Sequence, residues 1–183
     1  VQTEPGVVQA RNTSFSGVWW VSHDPPQGSV DEWLEVGLIP HALQEAAGGG
    51  GVQLSRSAGA GQSAGVASIM AELALRQRRW RIDQPARVLN LSLWSLDATQ
   101  RAELDGLLGQ GRVRVLAHGS STCEICSTRL ARVWRVRHFD ARGQCLLDVL
   151  EIGPIPDSAR PSQADLEEAA ATLGERVAWM KKA

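Results

Sequence analysis

Val18-Trp-Trp-Val-Ser-His23 and Val133-Trp-Arg-Val-Arg-His138 read as two versions of one strand, 115 residues apart. The likeness continues past a glycine, Gly28 in the first version and Gly143 in the second. It runs on into Leu34-Glu-Val-Gly-Leu-Ile-Pro40 and Leu150-Glu-Ile-Gly-Pro-Ile-Pro156, where the offset is 116, so one residue has entered between the blocks. Alternating Val and Trp, the turn signal Asp24-Pro-Pro-Gln-Gly28 and a second apolar run from Val30 to Gly37 make a hairpin. Self-similarity at a fixed offset implies a supersecondary unit used twice. A lone two-stranded hairpin is marginal in water, so the first copy is expected to dock on the second or on further chain toward the N-terminus.

Working outward, Pro40 suits the first turn of a short helix with Leu43 and Ala46 on its face. Gly48 to Gly51 is an unbroken glycine run, and Ser, Ala and Gly dominate to Ala64, as in a flexible connector. Val66, Ile69, Met70, Leu73 and Trp80 then recur at helical spacing. Val88 to Trp94 alternates like a strand, with Leu89, Leu91 and Leu93 on one side. Asp97 is placed to cap a helix that carries Leu104, Leu107 and Leu108 and stops at Gly109 or Gly111. Arg112 to Leu116 alternates again, and the repeated hairpin follows from Arg132 to Ile152. Ser162, with Asp165 at the third position, caps a last helix striped by Leu166, Ala169, Leu173, Val177 and Met180.

The expected fold is therefore α/β, or α+β, with a mixed sheet. Residues 1–47 hold an incomplete first repeat of hairpin and short helix, and 48–64 a connector. Residues 65–183 hold a complete second repeat reading helix, strand, helix, strand, hairpin, helix.

Net charge is −1, which provides no global field for nucleic acid or an anionic membrane surface. No apolar run approaches the ~20 residues that span a bilayer. Val1 to Gly6 shows neither the basic nor the apolar region of an export signal. Three cysteines, an odd number, favour a reducing compartment over a disulfide scaffold, so the expected location is cytoplasmic.

Cys123-x-x-Cys126, with His118 upstream and Cys145 downstream, holds the right ligand types for zinc or iron. If this stretch is extended, residues three apart face opposite sides and cannot share a metal; a turn through Gly119-Ser-Ser-Thr122 and on through Ile125 would permit it. The other reading is of small, half-buried thiols. His23 and His138 recur beside Trp19 and Trp134, as ligands or bases, or as hydrogen-bonded imidazoles at the core edge. Glu35 and Glu151 also recur, either to bind a partner's basic group or as the solvated side of a half-buried strand. Arg76 to Arg81 reads as a solvated helix end. Arg112, Arg114, Arg135 and Arg137 occupy alternate strand positions and would make one basic sheet face if their strands were neighbours. No nucleotide-binding loop, nucleophile elbow or triad is present, so nothing marks an enzyme by motif.

Arg87-Val-Leu-Asn-Leu-Ser-Leu-Trp94, the acid-capped helix, Gly111-x-Val113, Gly119-x-x-x-Cys123, Thr128, Val133-Trp134-x-Val136 and Leu150-Glu151-Ile152-x-x-Ile155-Pro156 together form an ordered series. That series resembles the C-terminal domain of the HupH/HyaF-type hydrogenase expression/formation proteins. It runs from Val66 to Met180, and from Thr13 to Ala42 through the repeat. The resemblance implies a cytoplasmic accessory factor for an uptake nickel–iron hydrogenase. Its partners would be the small-subunit precursor, around iron–sulfur cluster assembly and before twin-arginine export, and other maturation factors. Three departures stand out. The family's Gly-Tyr-Gly-x-Cys is Gly119-Ser-Ser-Thr-Cys123, Cys126 replaces a small residue, and Arg135 replaces the second Trp that the first copy keeps as Trp20.

The leading expectation is a non-enzymatic maturation chaperone without a resident cofactor. Its contact surface would be the Trp20/Trp33 region of the first hairpin or the arginine face of the second, since Trp and Arg are enriched at binding hot spots. A second expectation is a metal-handling or redox protein carrying transient zinc or iron on Cys123 and Cys126, with Cys145 or His118. A third makes the repeat a homodimerisation module.

Overall fold

The computed structural model describes residues 6–48, 51–54, 61–118 and 122–181. Eight strands form one mixed sheet. They are β1 (Val7–Asn12), β2 (Val18–Asp24), β3 (Asp31–Val36), β4 (Arg87–Asn90), β5 (Gln110–His118), β6 (Thr122–Thr128), β7 (Val133–Phe139) and β8 (Cys145–Ile152). Their spatial order is β3-β2-β1-β5-β6-β7-β8-β4. Only β1 and β5 run parallel, and every other neighbouring pair is antiparallel. The helices are α1 (His41–Gly48), α2 (Ala64–Arg79), α3 (Ala98–Leu108) and α4 (Gln163–Met180).

Two strands lie outside the expected order of elements, the second of them along the Cys123 to Cys126 stretch read above as extended or turned, and they change the architecture. β1 converts the first hairpin into a three-stranded meander, and its parallel pairing with β5 joins that meander to the rest of the sheet. β6 does the same for the second hairpin. The two meanders share a pairing register. Ala10 faces Val21 and Ile125 faces Val136; Asn12 faces Trp19 and Ser127 faces Trp134. Across the next ladder, Trp19 faces Glu35 and Trp134 faces Glu151. The register slips only at His138/Phe139, where the second meander carries its additional residue. The turn backbones agree as well. Gly17 has φ 80°, its counterpart Arg132 has φ 59°, and each carbonyl accepts from the amide two strands on, Gly37 N at 2.8 Å and Gly153 N at 2.9 Å.

Side-chain alternation divides the sheet into two faces. On one face a single apolar layer runs from Trp19 and Val21 through Ala10, Val113, Val115, Ile125, Trp134 and Val136 to Val149, beneath Ala42 and Leu43 of α1 and Ala159. On the other face α2 and α3 bring Val66, Ile69, Leu73, Leu104 and Leu108 onto Leu89, Val133, Leu150 and Ile152. Each fully buried Leu or Ile in this layer contributes roughly 1.5–3 kcal/mol. Capping follows the sequence reading. Asp97 accepts from Gln100 N at 2.8 Å and Ser162 accepts from Asp165 N at 3.2 Å, with the reciprocal bond present in both.

Three expected details differ. The strand from Val88 ends at Asn90, whose side chain accepts from Ser92 N and starts a 3-10 turn; Leu89 and Leu91 are buried but Leu93 faces out. On α4 only Ala169 is buried, and Val177 and Met180 are exposed, so the stripe packs along its first half alone. Part of the connector is ordered by pairing. Val52 bridges Leu130, and Gln77 of α2 accepts from Leu54 N at 3.0 Å while donating to Ala131 O at 2.8 Å. Residues 49–50 and 55–60 lie outside the described residues.

Candidate functional site

The sheet's second face is covered unevenly, and this asymmetry builds the candidate site. Over β7, β8 and β4 it lies beneath α2 and α3. The same face of β3 and β2 carries Val18, Trp20, Ser22, Glu32, Leu34 and Val36, and among the described residues no helix covers it. Trp20, Leu34 and Val36 are 43 %, 59 % and 86 % exposed. Gln9 and Arg11 of β1 continue this face, with exposed Arg11 opposite Trp20; Arg112 of β5, also exposed, lies near the other end of β1. The result is an apolar strip with a basic margin, open to a partner.

β3 is also an edge strand of the sheet, the short β4 being the other. In an antiparallel ladder, alternate residues direct their backbone groups to the same side. Because Gly37 N donates back to Gly17 O, Glu35 and Trp33 bond toward β2, and Glu32, Leu34 and Val36 direct theirs outward. The counterparts in β8 are Asp148, Leu150 and Ile152, and these are engaged: β4 pairs alongside, and Asp148 N donates to Ser92 Oγ at 2.9 Å.

The tryptophans of the first hairpin do not act together. Trp20 lies opposite Leu34 on the open face, whereas Trp33 lies opposite Val21 on the α1 face. Trp33 Nε1 donates to Glu35 Oε1 at 2.8 Å, and Glu35 Oε2 accepts from His41 N at 2.8 Å, so Glu35 starts α1. Trp19 and Trp134 are both core residues. Trp19 Nε1 donates to Gly37 O at 2.9 Å, while Trp134 Nε1 has no hydrogen bond among the described residues. Glu151 is half-buried, and its carboxyl is pushed above the usual range by burial first and by Asp157 second.

The arginines do not form a free basic face, because β6 stands between β5 and β7 and supplies an acid. Glu124, with a side chain only 3 % exposed, pairs with Arg114 through Oε1 and with Arg137 through Oε2. The three line a cleft of about 480 Å³ with His118 and Phe139. Arg135, 14 % exposed, is held bidentately by Asp148 at 2.9 and 2.7 Å and also pairs with Asp105 of α3. Burial opposes its charge, but those carboxylates prevail and hold its pKa above the ordinary guanidinium value. Arg112 alone of the four keeps an exposed side chain without an acidic partner among the described residues. Sequence reasoning missed Glu124, Asp105 and Asp148. Only a register placing Glu124 and Asp148 across from Arg137 reveals those two, and only the packing of α3 on this face reveals Asp105.

The cysteines diverge. β6 places Cys123 on the α1 face and Cys126 on the opposite one, so the pair cannot clasp one ion. Cys123 Sγ lies 3.8 Å from His138 Nε2, and burial pushes both thiols up, away from the reactive thiolate. Cys145 is exposed at the start of β8, and His118 contacts Thr122 Oγ1 at 3.2 Å. Gly119 to Ser121 lie outside the described residues. His23 is half-buried opposite Val8. No group of three metal-binding side chains converges among the described residues, and no described helix is long and apolar enough to cross a membrane.

Comparison with known proteins agrees with this frame. The model of the HupH hydrogenase expression protein, C-terminal conserved region, matches residues 64–180. Hydrogenase expression/formation protein HoxQ of Cupriavidus necator is 31 % identical over 175 residues, covering 94 % of this chain and 62 % of that protein. Hydrogenase expression/formation protein HupQ of Azotobacter chroococcum is 32 % identical, covering 92 % of this chain and 61 % of its own length. The chain thus spans about six tenths of the length of these relatives. The solved structure of hydrogenase expression protein HupH from Thiobacillus denitrificans superposes with a TM-score of 0.57 at 25 % identity, covering 64 % of this chain and 98 % of that one. This chain therefore belongs to the HupH family of hydrogenase expression proteins.

Proposed function

We propose that the chain acts in hydrogenase maturation as a non-enzymatic accessory protein. It holds the small-subunit precursor on the open half of its sheet, in the cytoplasm, around iron–sulfur cluster assembly and before export, alongside other maturation factors. The names of the relatives support the pathway. The observation that carries the binding role is the uncovered strip of Trp20, Leu34 and Val36, on a sheet whose corresponding strip in the other meander is buried. An amphipathic ring such as Trp20, central in such a strip and bordered by Arg11, is the usual anchor of a protein contact.

The test is binding of purified small-subunit precursor to immobilised wild-type protein and to a Trp20→Ala/Leu34→Asp double variant. Affinity should fall at least about tenfold, a loss near 1.4 kcal/mol. Unchanged affinity with the fold intact would remove this surface. The reading assigns no resident metal. Zinc or iron in stoichiometric amount on untagged protein, lost in Cys123→Ser, would contradict that.

A further inference from the structure

The two meanders share a register, yet the edge of one is filled and the edge of the other is free. Along β8, β4 pairs antiparallel, with Arg87 opposite Ile152, Val88 opposite Glu151, Leu89 opposite Leu150 and Asn90 opposite Val149. Leu89 and Leu150 are buried together on the face that α2 and α3 cover. The corresponding residues of β3 are Val36, Glu35, Leu34 and Trp33, displaced by 116. Among the described residues nothing pairs with their outward backbone groups, and Leu34 and Val36 stand in solvent.

From this correspondence we infer that β3 receives an extended segment of the partner polypeptide as a ninth, antiparallel strand in the register β4 adopts on β8. The identity of that partner rests on the reading above. The incoming segment carries an apolar side chain opposite Leu34, beside Trp20, where Leu89 stands against Leu150. It also carries a basic flank. β3 offers Asp31 and Glu32 and the adjoining end of β2 offers Asp24, all exposed; in this register they lie on the C-terminal side of the residue opposite Leu34, so the basic residues of the segment follow its apolar one. Strand addition draws its affinity from main-chain hydrogen bonds and its selectivity from alternate side chains, as required of a factor that handles a precursor in extended form.

Proline separates the backbone contribution from the side chain. Val36→Pro removes one outward N–H, which an edge strand tolerates because no described strand uses it. Val36→Ala trims the side chain and keeps the N–H. Precursor affinity should fall about tenfold in Val36→Pro and change less than about threefold in Val36→Ala. Glu32→Pro, at another outward position, repeats the test if Val36→Pro lowers the Tm. Equal affinities for the proline and alanine variants would overturn strand addition while leaving precursor binding in place. If the precursor does not bind wild type at all, the functional reading fails, and a labelled synthetic peptide of residues Ala86–Trp94 decides the edge. Its capture by wild type and not by Val36→Pro would uphold strand addition, and no capture would overturn it. Self-association of wild type that Val36→Pro abolishes would assign the edge to a second copy and overturn the partner proposed here.

Discussion

The two meanders pair residue for residue in the same register, but their outer faces have opposite fates. At the position where the first presents Trp20, half exposed, the second places Arg135 beneath α3. Where β8 is flanked by β4, β3 is the edge. Shared strand geometry therefore does not dictate a shared role. What differs is whether the molecule itself supplies the covering layer. The covered meander spends its polar groups internally, with Arg135, Asp148 and Asp105 satisfying one another. The open one leaves its apolar groups and edge amides available.

Paired substitutions sharpen that contrast, beginning with the largest. Arg135→Ala strands the Asp148 carboxylate beneath α3 and should cost about 3 kcal/mol in chemical denaturation. Trp20→Ala, at the equivalent position, should stay within about 1 kcal/mol of wild type. Similar losses at the two sites would mean that the first meander is not open. Gly17→Ala places a Cβ 2.9 Å from Leu166 Cδ2 at φ 80°, and should cost roughly 1–2 kcal/mol by the same assay.

The repeated glutamates should answer with opposite signs. Glu35→Gln leaves one acceptor oxygen for two donors, Trp33 Nε1 and His41 N, and should lose about 1 kcal/mol. Glu151 is held above its ordinary pKa, so the folded chain retains a proton that the unfolded chain releases more readily. The cost of its charge is therefore present above the folded pKa and is relieved as pH falls below the unfolded value. Glu151→Gln should raise the Tm by roughly 2 °C near pH 8 and leave it unchanged near pH 3.5, in parallel thermal melts. A gain that persists in acid would place its origin outside this titration.

Much of this arrangement was legible in local pattern. Repeated Val-Trp alternation located β2 and β7, and Asp97 and Ser162 marked the starts of α3 and α4 because a cap is a local hydrogen bond. β1 was hidden because Val7 to Asn12 alternates weakly. It is a central strand whose place is set by its parallel pairing with β5, distant in sequence. β6 was legible only as the extended alternative for Cys123 to Cys126, and nothing local placed it between β5 and β7. The arginine face misled because its neutralising acids, Glu124, Asp148 and Asp105, come from other elements. Trp20 and Trp33 looked like one patch in a list of residues, and only the register with Leu34 and Val21 separates them.

Amide hydrogen exchange with and without the small-subunit precursor tests the central contrast most directly. In the free protein, the amides of Leu150 and Ile152 should be strongly protected while those of Leu34 and Val36 exchange rapidly, and the precursor should slow the second pair alone. Strong protection of Leu34 and Val36 in the free protein, or rapid exchange there that the bound precursor leaves untouched, would contradict the account.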